Sequence, residues 1–278
     1  MDLFRIKSNY SRGNDEEMRI YPPGRNYKYN EVIKEIGFGK YQYKIVATVA
    51  VLYLAMGLFV AMLSFLIPFY KKDIYINEWE VGFLIASQGA GTLVGGIIFS
   101  YISDIYGRKF SLITALLTAI LTSIACSFLN TFYPFLIMRF ATTLGYGGIA
   151  PVGVTYLTEY LPDNKRGFFI VGLDLFRSIG ALLIVPASKL SYEDWRIFVL
   201  TPVPFYLLCL IVIIMLLPES SRYLLFTNNI NKLVDNLNDM CRENNKKIVI
   251  RHSLKESEEQ NRNIKVKQVN IYDDIIIK

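Results

Sequence analysis

Six long apolar runs dominate the chain, at about 45–69, 81–102, 110–129, 132–158, 168–189 and 197–217. Each approaches or exceeds the roughly 20 residues that an α-helix needs to cross a hydrocarbon core of about 30 Å. Polar breaks between them are short, and the alternating strands of a barrel are absent from the pattern. Backbone groups in lipid must be satisfied within their own segment, so the runs predict six transmembrane helices. The expected fold is therefore an all-α membrane protein. The same pattern divides the chain into a polar segment 1–44, a six-helix bundle 45–217 and a polar tail 218–278. In the tail, Leu233, Val234, Leu237 and Met240 give a helical period, and the later residues read as disordered. The closing run Ile275–Ile277 is far too short to span.

Lysine and arginine placement sets the expected orientation. With both termini in the cytosol, Lys28, Lys34, Lys40, Lys44, Arg108, Lys109, Lys165, Arg166, Arg222 and Lys232 lie inside, against Lys71, Lys72, Lys189 and Arg196 outside. That bias favours cytosolic termini. No apolar core stands near Met1, so no secretory leader is expected, and the sequon-like Asn9-Tyr10-Ser11 falls on the cytosolic side, where it goes unused.

Composition narrows the function classes. Only 19% of the 278 residues are charged and 53% are hydrophobic, against about 25% charged in an ordinary soluble domain. The net charge of +6 comes from residues flanking the spans, which makes it a topology signal and not a nucleic-acid surface. Cys126 and Cys209 sit in apolar runs and Cys241 in the tail, which gives no disulfide framework. The lone His252 supports neither a zinc site nor a histidine-based triad, and no nucleophile–base pair, metal cluster or phosphate loop is visible. The expectation is a protein that is not an enzyme, with no cofactor and no metal.

Ionisable residues within the spans are Arg139, Asp174 and Arg177. Each is costly at the bilayer centre unless it faces protein or water. Asp174 and Arg177 stand three apart, on one helix face. Counting 1.5 Å per residue from the cytosolic edge places Arg177 near the midplane. The pair reads either as a self-neutralising ion pair or as the polar lining of a central cavity. Arg139 falls nearer the outer surface and reads as structural. At the cytosolic helix ends, three acid-plus-arginine sets recur: Asp104 with Arg108 and Lys109, Glu159 with Arg166, and Glu219 with Arg222. They suggest ion pairs that form in one conformation and break in another. Gly91-x3-Gly95 has the spacing that lets two helix backbones approach closely, for static packing or for sliding.

The ordered motifs carry a family resemblance. Asp104-Ile105-Tyr106-Gly107-Arg108-Lys109 follows span two, and Arg139 with Gly145, Gly147 and Gly148 marks span four. Tyr156-x2-Glu159-x2-Pro162-x3-Arg166-Gly167 follows, then Trp195-Arg196 and Pro218-Glu219-Ser220-x-Arg222 bracket span six. Together they resemble the N-terminal half of a major facilitator superfamily transporter of the sugar-porter and organic-ion branch. Ile36-Gly37-Phe38-Gly39 resembles the synaptic-vesicle-protein-related transporters in particular. Departures are Thr143 in place of a motif glycine, Ile105 in place of a basic residue, and a first span without an acid, where Met56 and Phe59 stand near the place some relatives charge.

The resemblance implies transport of a small polar or charged solute by alternating access. Asp174 falls where sugar porters carry a substrate-contacting Gln, which makes Asp174 and Arg177 the expected substrate contacts. The resemblance casts Asp104, Arg108, Lys109, Glu159, Arg166, Glu219 and Arg222 as the gating charges. Arg139, Gly145, Gly147, Gly148, Trp195 and Arg196 are expected to be structural. The family fold has twelve spans, so the expected partners are membrane lipid, a solute and a second six-helix half, with no nucleic acid. The half is either part of a longer chain or one that must pair. The other reading is a non-transporting membrane protein that binds a partner or full-length relative. A plasma membrane or an intracellular vesicle membrane fits equally.

Overall fold

The computed structural model describes residues 4–8, 26–27, 29–190, 194–246 and 248–252. The sequon at Asn9, Lys28 and the Ile275–Ile277 run lie outside the described residues, as does the tail after His252. The chain forms two compact units, one of residues 1–41 with 224–278 and one of residues 42–223.

The second unit holds the membrane bundle. Its candidate spans are α2 (Lys40–Asp73), α3 (Glu78–Tyr106), α4 (Arg108–Ser127), α5 (Phe132–Tyr160), α6 with α7 (Asp163–Leu182 and Ile184–Leu190), and α8 with α9 (Trp195–Leu200 and Pro202–Leu216). These are the six expected helices, and the chain is an integral multi-pass membrane protein. Several helices run past their apolar stretches into polar turns, because backbone hydrogen bonding continues where hydropathy stops. Glu80 accepts from the Asn77 N–H at 2.7 Å to start α3, and Asp194 accepts from the Arg196 N–H at 2.8 Å to start α8.

The fifth and sixth spans are each broken, which the apolar pattern does not register. Pro186 has no N–H for the carbonyl of Leu182 and crowds it, and α6 ends at Leu182. Pro202 does the same to Phe198, whose carbonyl bonds the Thr201 N–H at 3.1 Å in a tighter turn.

Glycine lets α5 sit against α3 and α4 at backbone distance. A side chain at Gly91 or Gly95 of α3 would strike Thr143 or Leu144 of α5. One at Gly145 would strike Ala115 and Ala119 of α4, and one at Gly147 or Gly148 would strike Thr92 or Phe99 of α3. A reciprocal pair joins α2 to α6: Gly57 faces the carbonyl of Arg177, and Gly180 faces that of Leu54. Such contacts replace the missing hydrophobic drive between helices in lipid with close packing.

The first unit contains α1 (Tyr29–Ile36) and α11 (Ile230–Glu243), with a small antiparallel sheet in the order β2 (Asn26–Tyr27), β1 (Phe4–Ser8), β3 (Ile248–His252). Val32, Ile33 and Ile36 are buried on α1, as are Leu233, Leu237, Met240 and Cys241 on α11. The short helix α10 (Ser221–Phe226) precedes α11. All-helical order thus holds for the bundle, and the strands belong to the polar ends.

Candidate functional site

Asp174 and Arg177 lie one turn apart on α6, with Arg177 Nε 3.0 Å from Asp174 Oδ1. Their side chains keep 59% and 47% of their surface open, although the helix is part of a span. Tyr53 of α2 lies within the electrostatic reach of both, and Tyr146 of α5 within that of Arg177. The Tyr53 hydroxyl donates to the carbonyl of Ala150 at 3.4 Å. Tyr146 also lines a cavity of about 630 Å³ beside α2 and α3, with Ser64, Gln88 and Thr92 as its other polar members. An acid and a guanidinium thus stand half-open on a helix that otherwise presents Leu175, Ile179 and Leu182.

A second polar cluster forms at the far ends of these helices. Gly107, at φ +103°, makes the turn between α3 and α4, and a side chain there would strike the Glu219 carboxylate at 2.8 Å. Arg108 bonds Asp104 Oδ1 and Glu159 Oε1, each at 3.2 Å, and the Ser103 carbonyl at 2.9 Å. Glu159 is buried, and its other oxygen accepts from the Ser220 hydroxyl. The Lys109 N–H and the Ser220 N–H both donate to Glu219 Oε1, at 3.2 and 3.0 Å. Tyr156 and Tyr160 donate to the carbonyls of Pro218 and Glu219, each at 2.9 Å. One knot thus ties the ends of α3, α4 and α5 to the segment after α9.

The expected gating charges do not all enter it. Lys109 Nζ reaches the Ile214 carbonyl at 3.1 Å, satisfying a carbonyl that the end of α9 leaves without a helical partner. Arg166 pairs with Asp163 at 2.5 Å and donates to the Leu161 carbonyl at 3.1 Å, a local arrangement at the start of α6. Arg222 is exposed and acts on Glu159 only at a distance. Trp195 is buried against Tyr70 and Phe135, with ring centroids 5.0 and 5.6 Å away, and Arg196 reaches Asn130. Arg139 is fully buried in the bundle.

Sequence reasoning did not single out Tyr53, Tyr146 or Tyr160. None carries a charge, Tyr53 and Tyr146 lie in apolar runs, where a tyrosine reads as core, and Tyr160 stands just past the end of one. The repeated spacing Tyr156-x3-Tyr160 was the available signal, since it stacks two hydroxyls along one face.

A family model described as Major Facilitator Superfamily matches residues 49–257. A synaptic vesicle 2-related protein of Bos taurus is 28% identical over 80% of this chain and 41% of its own length. A niacin transporter, NiaP, of Acinetobacter baylyi is 30% identical over 72% of this chain and 46% of its own length. Among solved structures, the partially occluded inward-open xylose transporter XylE of E. coli superposes with a TM-score of 0.65 at 20% identity, over 72% of this chain and 54% of that one. The chain thus spans about half the length of the relatives it matches.

Proposed function

From a chain that belongs to the Major Facilitator Superfamily, we propose the N-terminal six-helix half of a carrier that moves a small polar or charged solute across a membrane by alternating access. It is read as a transporter and not an enzyme. Both ends lie in the cytosol, and the carrier occupies the plasma membrane or a vesicle membrane. The second six-helix half comes from the same polypeptide or from a separate one. The reading is supported above all by the half-open Asp174–Arg177 pair inside a spanning segment. Facing lipid, such charges would be costly; facing a water-filled cavity between two halves, they are not.

In this scheme Asp174 and Arg177 contact the solute, and Tyr53 and Tyr146 form the wall behind them. The Arg108–Glu159–Ser220 knot with Glu219 holds the cytosolic helix ends together while the cavity faces outward. It parts as the inner side opens. Niacin transport and xylose transport, the activities of two of the proteins it resembles, fit a small polar solute and do not choose one.

The test is Asp174→Asn in the complete carrier. Uptake or ligand binding should fall at least tenfold with surface expression unchanged. Full uptake by the variant would remove Asp174 from the solute site.

A further inference from the structure

The cavity of about 630 Å³ opens between α2 and α3, with Tyr146 of α5 in its wall. Gly57 of α2 faces the Arg177 carbonyl. Ser64, in the cavity wall, lies two turns further along α2, about 10 Å nearer the α2–α3 turn. Most of the lining is aliphatic, with Leu63 and Leu93 on opposite sides. Its polar members are Ser64, Gln88, Thr92 and Tyr146, all uncharged at pH 7. No carboxylate, ammonium or guanidinium of a described residue lines it.

These polar groups have hydrogen-bonding capacity to spare. Neither the Ser64 hydroxyl nor the Tyr146 hydroxyl has a partner among the described residues. The Tyr146 ring is buried on Phe59, at 4.8 Å between centroids, and its hydroxyl is the end left open. The Gln88 carboxamide oxygen is covered and unpaired, so nothing pins that amide, and its last torsion turns over easily. Thr92 donates to the Gln88 carbonyl at 2.8 Å, which leaves its own oxygen as an acceptor. Gly89 adds room: a side chain there meets nothing within 4 Å, whereas one at Gly91 or Gly95 would strike α5. Position 89 thus widens the cavity and does not serve helix packing.

We propose that this cavity binds a compact uncharged organic molecule with an apolar body and a neutral hydrogen-bonding head. The aliphatic walls take the body, and Ser64, Gln88 and Tyr146 each offer both donor and acceptor to the head. A charged ligand would lose its hydration there against no opposite charge. A lipid acyl chain would cover the aliphatic walls and leave the two hydroxyls and the carboxamide unpaired. Asp174 and Arg177 are not among the lining residues, so the site does not depend on the transport reading.

Saturation-transfer NMR on the purified full chain in lipid nanodiscs tests it, read against empty nanodiscs. The probe is benzamide, with benzoate and benzamidine as near-isosteres of negative and positive charge. Benzamide should bind saturably, about tenfold or more tighter than either charged isostere. Gly89→Leu fills the cavity from a position with no neighbour to strike, and should abolish binding with the unfolding midpoint unchanged. Gly82→Leu, two turns earlier on the same face of α3 and outside the lining, should bind as the unaltered chain does. Gln88→Met and Tyr146→Phe should each weaken binding roughly three- to tenfold, the loss of one hydrogen bond. No saturable benzamide binding by the unaltered chain overturns the site, as does full binding by Gly89→Leu. Equal binding of the charged isosteres overturns the uncharged class. Binding unaltered in both Gln88→Met and Tyr146→Phe shows an apolar groove that takes the ring alone, as it would an acyl chain, and overturns the polar recognition.

Discussion

Glu159 and Arg166 belong to one sequence motif yet sit in opposite surroundings. Glu159 is buried at 2% exposure, with Arg108 on one oxygen and Ser220 on the other. Replacing it by glutamine removes the buried one of the two carboxylates that compensate the largely buried Arg108 guanidinium, leaving the exposed Asp104. Breaking such a pair from one side costs about 3 kcal/mol. Asp163 lies largely in the open and Arg166 is partly covered at the start of α6, and surface pairs within one helical turn contribute about 0–1 kcal/mol. Glu159→Gln should therefore lower the unfolding midpoint of the purified chain by several degrees, and Arg166→Ala should move it little. Equal effects would deny the knot its special weight. Cys241 offers a pH test in the other unit. Burial pushes its thiol up to about 11, against a small opposing pull from Lys246. A raised thiol pKa means less thiolate at every pH below it, roughly one part in a thousand at pH 8. With Cys126 and Cys209 replaced by alanine, alkylation of the native chain at pH 8 should run at least a hundredfold slower than in denaturant. It should quicken about tenfold per pH unit towards 11. Rapid labelling at pH 8 would show that α11 does not hold this thiol buried.

At the scale of elements, one helix carries two kinds of glycine. A Cβ at Gly180 of α6 would collide with the Leu54 carbonyl of α2, and helix backbones do not yield as a flexible side chain does. Gly180→Ala should force α2 and α6 apart and cost about 1–3 kcal/mol. Gly172, on the same helix, meets nothing within 4 Å. Gly172→Ala should leave the chain's unfolding midpoint unchanged or slightly raised, since alanine is the better helix former. The contrast is read from paired melts of the two variants, and a matching loss in both would mean that α6 packs otherwise. The hydropathy pattern conveyed that α6 exists and spans, because apolar length alone decides that. It could not say which glycine packs, because that depends on which face meets α2. Nor could it place the breaks at Pro186 and Pro202, which stem from a missing N–H and not from polarity. The knot was half readable for a similar reason. Charges announce themselves at Asp104, Arg108, Glu159 and Glu219, but the Ser220 hydroxyl and the Tyr160 bond to a backbone carbonyl emerge only when distant segments meet.

For the whole molecule, α3 and α6 with α7 are the least buried spans of the bundle, while α2 and α5 are the most buried. Exposed Phe168, Val171, Leu175 and Ile179 flank Asp174 and Arg177 along α6, so one surface mixes lipid-like and water-demanding groups. In the proposed twelve-span carrier that surface is shared between the second half and the cavity, and the outer face of α9 remains against lipid. The two fates are separable by chemistry in membranes. A cysteine at position 174 should react with a membrane-impermeant thiol reagent, and one at Met215 of α9, 76% exposed in this half, should not. The reacting side carries the mechanism. With the knot intact, the reagent should reach position 174 from outside; adding Glu159→Gln loosens the cytosolic ends, so labelling from the cytosolic side should rise severalfold at the expense of the outer side. Protection of position 174 from both sides would place α6 against lipid or sealed protein, and the carrier reading would then have no aqueous route through this half.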